Sequence, residues 1–249
     1  MNRPIIICED SFQTTWAKAI IALSDNHWKV WNLVVQINCP NLFNENNNNL
    51  LIQFAKMYNL IPPKDVAHTI FPQTFYKGNV PREKLYKKYW KFFAWSRKRP
   101  NSGWGTYFER MINYSTLEKG VDQLGRIIDN INSRHTNYGA SYNIIIPYPH
   151  RELNQIMGAP CLGYITIQVE YSTTSKDRKR INTLAVYRNH DFEKRAYGNY
   201  MGLCNLLKYI SYETNSEIGM LTCVSSRASV TNHKTQLLNI ANSIIGVTS

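Results

Sequence analysis

Three stretches of this chain are apolar on both sides of an extended backbone: "NLVVQIN" (32–38), "NIIIP" (143–147) and "CLGYITIQV" (161–169). Side chains alternate between the two faces of a strand, so Cys161, Gly163, Ile165, Ile167 and Val169 fall on one face and Leu162, Tyr164, Thr166 and Gln168 on the other. A strand apolar on both faces needs cover on both. A few helices cannot cover all of these strands, which predicts an α/β (α+β) fold: a large mixed sheet with flanking helices whose open face packs against a second copy of the chain. At 249 residues and 43% hydrophobic content the chain can bury the core of one domain spanning 1–249.

Helical spacing accounts for much of the rest. "SFQTTWAKAIIALSDN" sets Phe12, Trp16, Ile20 and Leu23 on one face behind the cap candidate Ser11, and "GVDQLGRIIDNI" does the same with Val121, Leu124, Ile128 and Ile131. "NYMGLCNLLKYI" reads as a further helix, while "INTLAVYRNHDF" and "GMLTCV" read as strands. "NCPNLFNENNNNL" is too polar to pack and reads as a surface loop.

The net charge of +12 favours phosphate-bearing partners. Residues 81–99, "PREKLYKKYWKFFAWSRKR", interleave eight Lys and Arg with six aromatics. Two readings fit: a strip spanning 82–99 that binds nucleic acid through stacking and charge, or an amphipathic helix with its aromatics in the core and its lysines in water. Five scattered cysteines without a CxxC pair indicate free thiols and no metal site. No apolar run reaches the roughly 18 residues that span a bilayer, and the N-terminus lacks a secretory pattern, so a cytoplasmic protein without membrane contact is expected.

Cys161 follows a proline at the head of a strand. By itself it is either a nucleophile on a rigid platform or a small buried residue; reactivity requires positive neighbours that favour the thiolate. Arg188, Asn189, Asp191 and Asn199 lie together in the strand-loop-helix segment 186–207, a set able to hold an anion and read a pyrimidine edge.

Taken in order, "GWGTYFERM", "GVDQLGRIIDNI", "HRELNQIMGAPC" and "VYRNHDFEKRAYGNYMGLCNLL" resemble the thymidylate synthases and pyrimidine-nucleotide hydroxymethylases over about half of the chain. The resemblance implies a sheet-face homodimer that transfers a one-carbon unit, methyl or hydroxymethyl, to C5 of a pyrimidine nucleotide, with methylenetetrahydrofolate as donor and no metal. It makes Cys161 the nucleophile, Tyr107 a candidate for proton handling, Arg188 the phosphate ligand that also favours the thiolate, and Asn199 the reader of the base edge. Asn189 and Asp191 belong to the same binding element. The family's tandem arginines fall on Ser141 and Tyr142, or leave Arg134 as one clamp residue if "SRHTNYGAS" is an insertion. Its sugar-holding histidine and tyrosine fall on about Arg227 and Ser229. These departures admit a second class of function, a protein that keeps the fold to bind nucleotide or nucleic acid without turnover.

Overall fold

The computed structural model describes residues 3–76, 78, 80–96, 104–115, 120–133, 139–152, 158–172 and 178–246, with the side chains of 94–96 excepted. Among these, one seven-stranded mixed sheet is flanked by helices, as the two-sided strands require. Its main path runs β1 (Ile5–Glu9), β2 (Lys29–Ile37), β7 (Glu217–Ser229), β5 (Lys179–Tyr187), β4 (Leu162–Tyr171), β3 (Asn143–Ile145); β6 (His190–Asp191) also pairs with β7. The pairs β1/β2, β5/β7 and β6/β7 are parallel, and β2/β7, β4/β5 and β3/β4 antiparallel.

Register sorts the sheet into two kinds of row. Ile7, Val35, Cys223, Ala185, Ile165 and Ile144 lie side by side across six strands, and all are buried. This face is covered by α1 (Phe12–Asp25) and α8 (Ala196–Glu213), with α9 (Lys234–Ile245) beside α1 and α3 (Pro63–Ile70) beside α8. The next row, Ile6, Val34, Val224, Val186 and Tyr164, is equally apolar and lies on the opposite face. There Ile6 is 66% exposed, Met220 39% and Trp31 55%.

α3 and α8 approach closely because α8 carries glycine at the contact. A Cβ on Gly198 would stand 2.6 Å from the Pro63 carbonyl and from Val66, and one on Gly202 2.8 Å from the Ala67 carbonyl. Gln13, fully buried on α1, joins the layers by donating to the Asn44 carbonyl at 2.9 Å and to the Tyr197 hydroxyl at 2.8 Å.

Several expectations need correction. The Asn-rich stretch is not all loop: Asn44 caps α2 (Glu45–Met57) by accepting from Asn47 N–H at 3.2 Å, and Leu51, Phe54 and Ala55 anchor that helix in the core. The asparagines take its outer first turns. Val121 lies before α6 (Gln123–Ser133), bridged to Tyr114 and 38% exposed, while Leu124, Ile128 and Ile131 do face inward. In β4 the alternation breaks. Leu162 opposes Tyr187 while Tyr164 opposes Val186, so Gly163 is an extra residue. Leu162, not Cys161, therefore joins Ile165 in the core.

Helix α4 (Arg82–Ser96) has the amphipathic arrangement. Leu85, Tyr89 and Phe93 are buried while Lys84, Lys87, Lys88 and Lys91 are exposed. Tyr89 and Phe93 are thus committed to packing; Arg97, Lys98 and Arg99 lie outside the described residues. Among those described, no helix is long and apolar enough to cross a membrane.

Candidate active site around Cys161

Cys161 sits half-buried just before β4, and three elements meet there. From the end of β5, Arg188 wraps the turn 159–161. Its backbone N–H donates to the Cys161 carbonyl at 3.0 Å, its Nε to the Pro160 carbonyl at 3.2 Å, and Nη2 to the Ala159 carbonyl at 3.1 Å. The charge of the same guanidinium acts on the thiol, favouring its deprotonated form.

From α5 (Tyr107–Ile112), Tyr107 reaches the other side, its hydroxyl accepting from Leu162 N–H at 3.5 Å. Arg110, one turn further along α5, anchors the helix that carries Tyr107. It is 1% exposed, donates to the carbonyls of Ile146 and Trp104, each at 3.0 Å, and forms a two-point ion pair with Glu152 of the short helix α7 (Pro149–Glu152). The guanidinium also lies 4.2 Å from the centre of the Tyr148 ring.

The electrostatics correct one expectation. Burial holds the Cys161 thiol above its ordinary range; Arg188 pulls it down by charge, Arg195 pulls the same way, and Asp191 pushes up. Desolvation wins over the arginine, so the net direction is the reverse of what Arg188 alone implies. Burial also pushes the Tyr107 phenol up to about 12, with the neighbouring thiol adding to the rise and backbone donors and Arg195 opposing it. The Tyr107 phenol is consequently protonated at neutral pH.

The loop after β5 carries the remaining expected residues. Asn189 keeps a buried Oδ1 with no hydrogen-bond partner. The Asp191 carboxylate accepts from the N–H groups of Glu193 and Lys194, both at 3.0 Å, so it braces the turn into α8 while its charge reaches the thiol. Asn199, on the first turn of α8 and 4% exposed, donates through Nδ2 to His190 at 3.1 Å. Arg134 lies outside the described residues. Arg227 and Ser229 are on β7, where the Ser229 carbonyl accepts from Phe192 N–H at 2.9 Å.

Sequence reasoning missed three participants. Glu193, its side chain fully buried, accepts from Asn232 N–H at 2.9 Å and pairs with His233 at 2.9 Å, tying the site loop to the start of α9. Arg195, at the N-cap of α8, acts electrostatically on both Cys161 and Tyr107. His190 bonds Asn199 and Ser225. Each of these depends on partners more than 30 residues away or across two elements, which no local pattern displays. Among the described residues no group of three or more His, Cys, Asp or Glu could hold a metal ion.

No protein-family model matches the chain. Two curated proteins do: one from Methanosarcina acetivorans, 28% identical over 128 residues, and one from Methanosarcina mazei, 27% identical over 128 residues. Both carry the name "Putative thymidylate synthase", and each alignment covers 51% of this chain and 53% of the relative. The chain thus spans about half the length of the curated relatives it matches. These matches support a distant thymidylate synthase-like relationship.

Proposed function

We propose that this protein activates a pyrimidine nucleotide at Cys161 for one-carbon transfer to C5, as a thymidylate synthase-like enzyme. The observation that carries the proposal is the placement of Arg188 beside Cys161: its guanidinium is fixed by the Pro160 and Ala159 carbonyls, and its charge favours the thiolate. A positioned cation beside a thiol is what a cysteine nucleophile needs.

In this reading the thiolate adds to C6 of the ring, a C6–S bond forms, and the C5=C6 electron pair moves toward the C4 oxygen. C5 then becomes the nucleophile for the one-carbon unit. Tyr107 donates or recovers a proton beside the thiol, Arg188 meets the nucleotide's phosphate, and Asn199 faces the base edge. Methylenetetrahydrofolate is the donor that the resemblance implies.

The uncovered sheet face supports a homodimer as part of the proposal. An apolar row across five strands lies on this face, with Ile6 66% exposed and Val34, Val224, Val186 and Tyr164 half-buried, and an apolar surface left in water is ordinarily an interface.

The raised thiol favours a second reading, a nucleotide-binding protein without turnover. One experiment separates the two. A 5-fluorinated deoxyuridine phosphate, supplied with methylenetetrahydrofolate, stalls after ring activation because fluorine cannot leave as the C5 proton does. Intact-mass and peptide analysis should find the adduct on Cys161 and none in Cys161→Ser. Nucleotide binding without any adduct would establish the second reading.

A further inference from the structure

His190 is enclosed on every side. It is 1% exposed, its ring lies parallel to that of Tyr187 at 4.1 Å and 5°, and Phe192 and Tyr200 meet it edge-on at 5.1 and 5.5 Å. Nδ1 is 2.8 Å from the Ser225 hydroxyl and Nε2 is 3.1 Å from the Asn199 amide nitrogen. Burial pushes its pKa down to about 3, so the ring is neutral and has one donor and one acceptor. An amide nitrogen only donates. Nε2 is therefore the acceptor, and Nδ1 carries the hydrogen and donates to Ser225.

We infer that His190 is a positioning residue that locks the Asn199 amide in one of its two orientations, and thereby makes the pocket choose between uracil-type and cytosine-type edges. The inference rests on the proposed reading that Asn199 faces the base. Turning a primary amide over exchanges its donor and acceptor. Uracil presents N3–H beside the acceptor O4, whereas cytosine presents the acceptor N3 beside a donor amine, so a free amide suits both and a locked one suits one. The Asn199 Oδ1 and second N–H have no partner among the described residues and are the groups left for a ligand. The lock itself lies behind them, on residues that never touch the ligand.

The test uses deoxyuridine and deoxycytidine monophosphates as probes, with binding read by calorimetry or by protection of Cys161 from alkylation. The unmodified protein should prefer one of the two by about tenfold or more, since the wrong edge leaves buried groups unpaired. In His190→Phe, which keeps the stacked ring but has no acceptor, that ratio should collapse to within about threefold. Ser225→Ala, which removes the acceptor for Nδ1–H and leaves the pocket untouched, should erode the ratio in the same direction. Nitrogen NMR of the unmodified protein should show the Nδ1–H tautomer of His190, unchanged from pH 8 to about pH 5. A merely structural histidine would weaken both nucleotides equally. An unchanged ratio in either folded variant, or an Nε2–H tautomer, overturns the inference. Failure of the unmodified protein to bind either nucleotide, with the Nδ1–H tautomer in place, instead overturns the pyrimidine reading on which it stands.

Discussion

Arg188 holds Cys161 through the backbone: the Arg188 N–H donates to the Cys161 carbonyl at 3.0 Å, while its guanidinium, bonded to the carbonyls of Pro160 and Ala159, acts on the thiol by charge. Backbone and side chain of the cysteine thus depend on one arginine. In a background where Cys8 and Cys39 are serine, alkylation of Cys161 should rise with pH through a midpoint above the ordinary thiol value of 9.0, because burial outweighs the arginine. Arg188→Ala removes the lowering contributions, so the midpoint should move further up and the rate at about pH 8 should fall several-fold. A midpoint below about 8.5, or no response to Arg188→Ala, would contradict this balance of burial and charge.

Tyr107 is neutral at any pH the protein meets, with its phenol pushed up to about 12. Tyr107→Phe should therefore leave nucleotide affinity within about twofold and slow adduct formation at Cys161 by about 10²-fold. The hydroxyl's long bond to Leu162 N–H, at 3.5 Å, contributes little to folding, so the melting temperature should barely move. Equal adduct rates for the two proteins would remove Tyr107 from the chemistry.

The Arg110–Glu152 pair sets how the fold responds to acid. Burial raises the Glu152 pKa, but hydrogen bonds from Arg110 and Tyr148 N–H and the charges of Arg110 and Arg151 more than offset it, leaving the carboxyl below its usual 4.5. A depressed carboxyl stabilises the folded state above the unfolded pKa and loses that contribution as pH falls through the folded pKa. Glu152→Gln should cost about 3–5 kcal/mol at pH 7, because it leaves Arg110 buried and uncompensated. The gap between variant and parent should narrow below about pH 4.5. Denaturant melts at about pH 7 and about pH 3.5 check both the size and the sign.

Gly202 trades helix propensity for contact. Alanine is the better helix former by about 1 kcal/mol, yet Gly202→Ala places a Cβ 2.8 Å from the Ala67 carbonyl and 2.9 Å from Ile70 Cβ. The expected outcome is a net loss of about 1–3 kcal/mol in urea unfolding. A stabilised variant would mean that α3 can retreat from α8.

Val224 stands mid-row on the open sheet face between Val34 and Val186. Val224→Asp should shift a dimer to monomer in analytical ultracentrifugation and leave the circular dichroism spectrum unchanged. A monomeric parent at micromolar concentration would refute the sheet-face homodimer.

Legibility in the sequence tracks how local each determinant is. β4, β5, α1 and α8 are visible because alternation or helical spacing repeats within one segment. β1 is not: it is five residues long and its pairing partner is β2, some 28 residues on. α2 is hidden because its outward first turns are asparagines, and burial of Leu51 and Phe54 overrides their poor propensity. At the site, Cys161, Arg188 and Tyr107 are legible as residues, and the structure brings all three together. Whether burial or the arginine governs the thiol is not legible, since desolvation depends on everything packed around it. His190 lies in plain view between Asn189 and Asp191, but its partner Ser225 is 35 residues away and on another strand.

The additional residue at Gly163 also separates the regular part of β4 from the turn that carries Cys161. Past it, towards Tyr171, β4 keeps regular register with β5, so Tyr164, Thr166 and Gln168 stay on the outward face. Before it, Cys161 belongs to the turn that Arg188 holds through the carbonyls of Ala159, Pro160 and Cys161 itself. Deletion of Gly163 would make the Leu162–Tyr187 and Tyr164–Val186 pairs consecutive on both strands and so straighten β4 at the point where it leaves the turn held by Arg188.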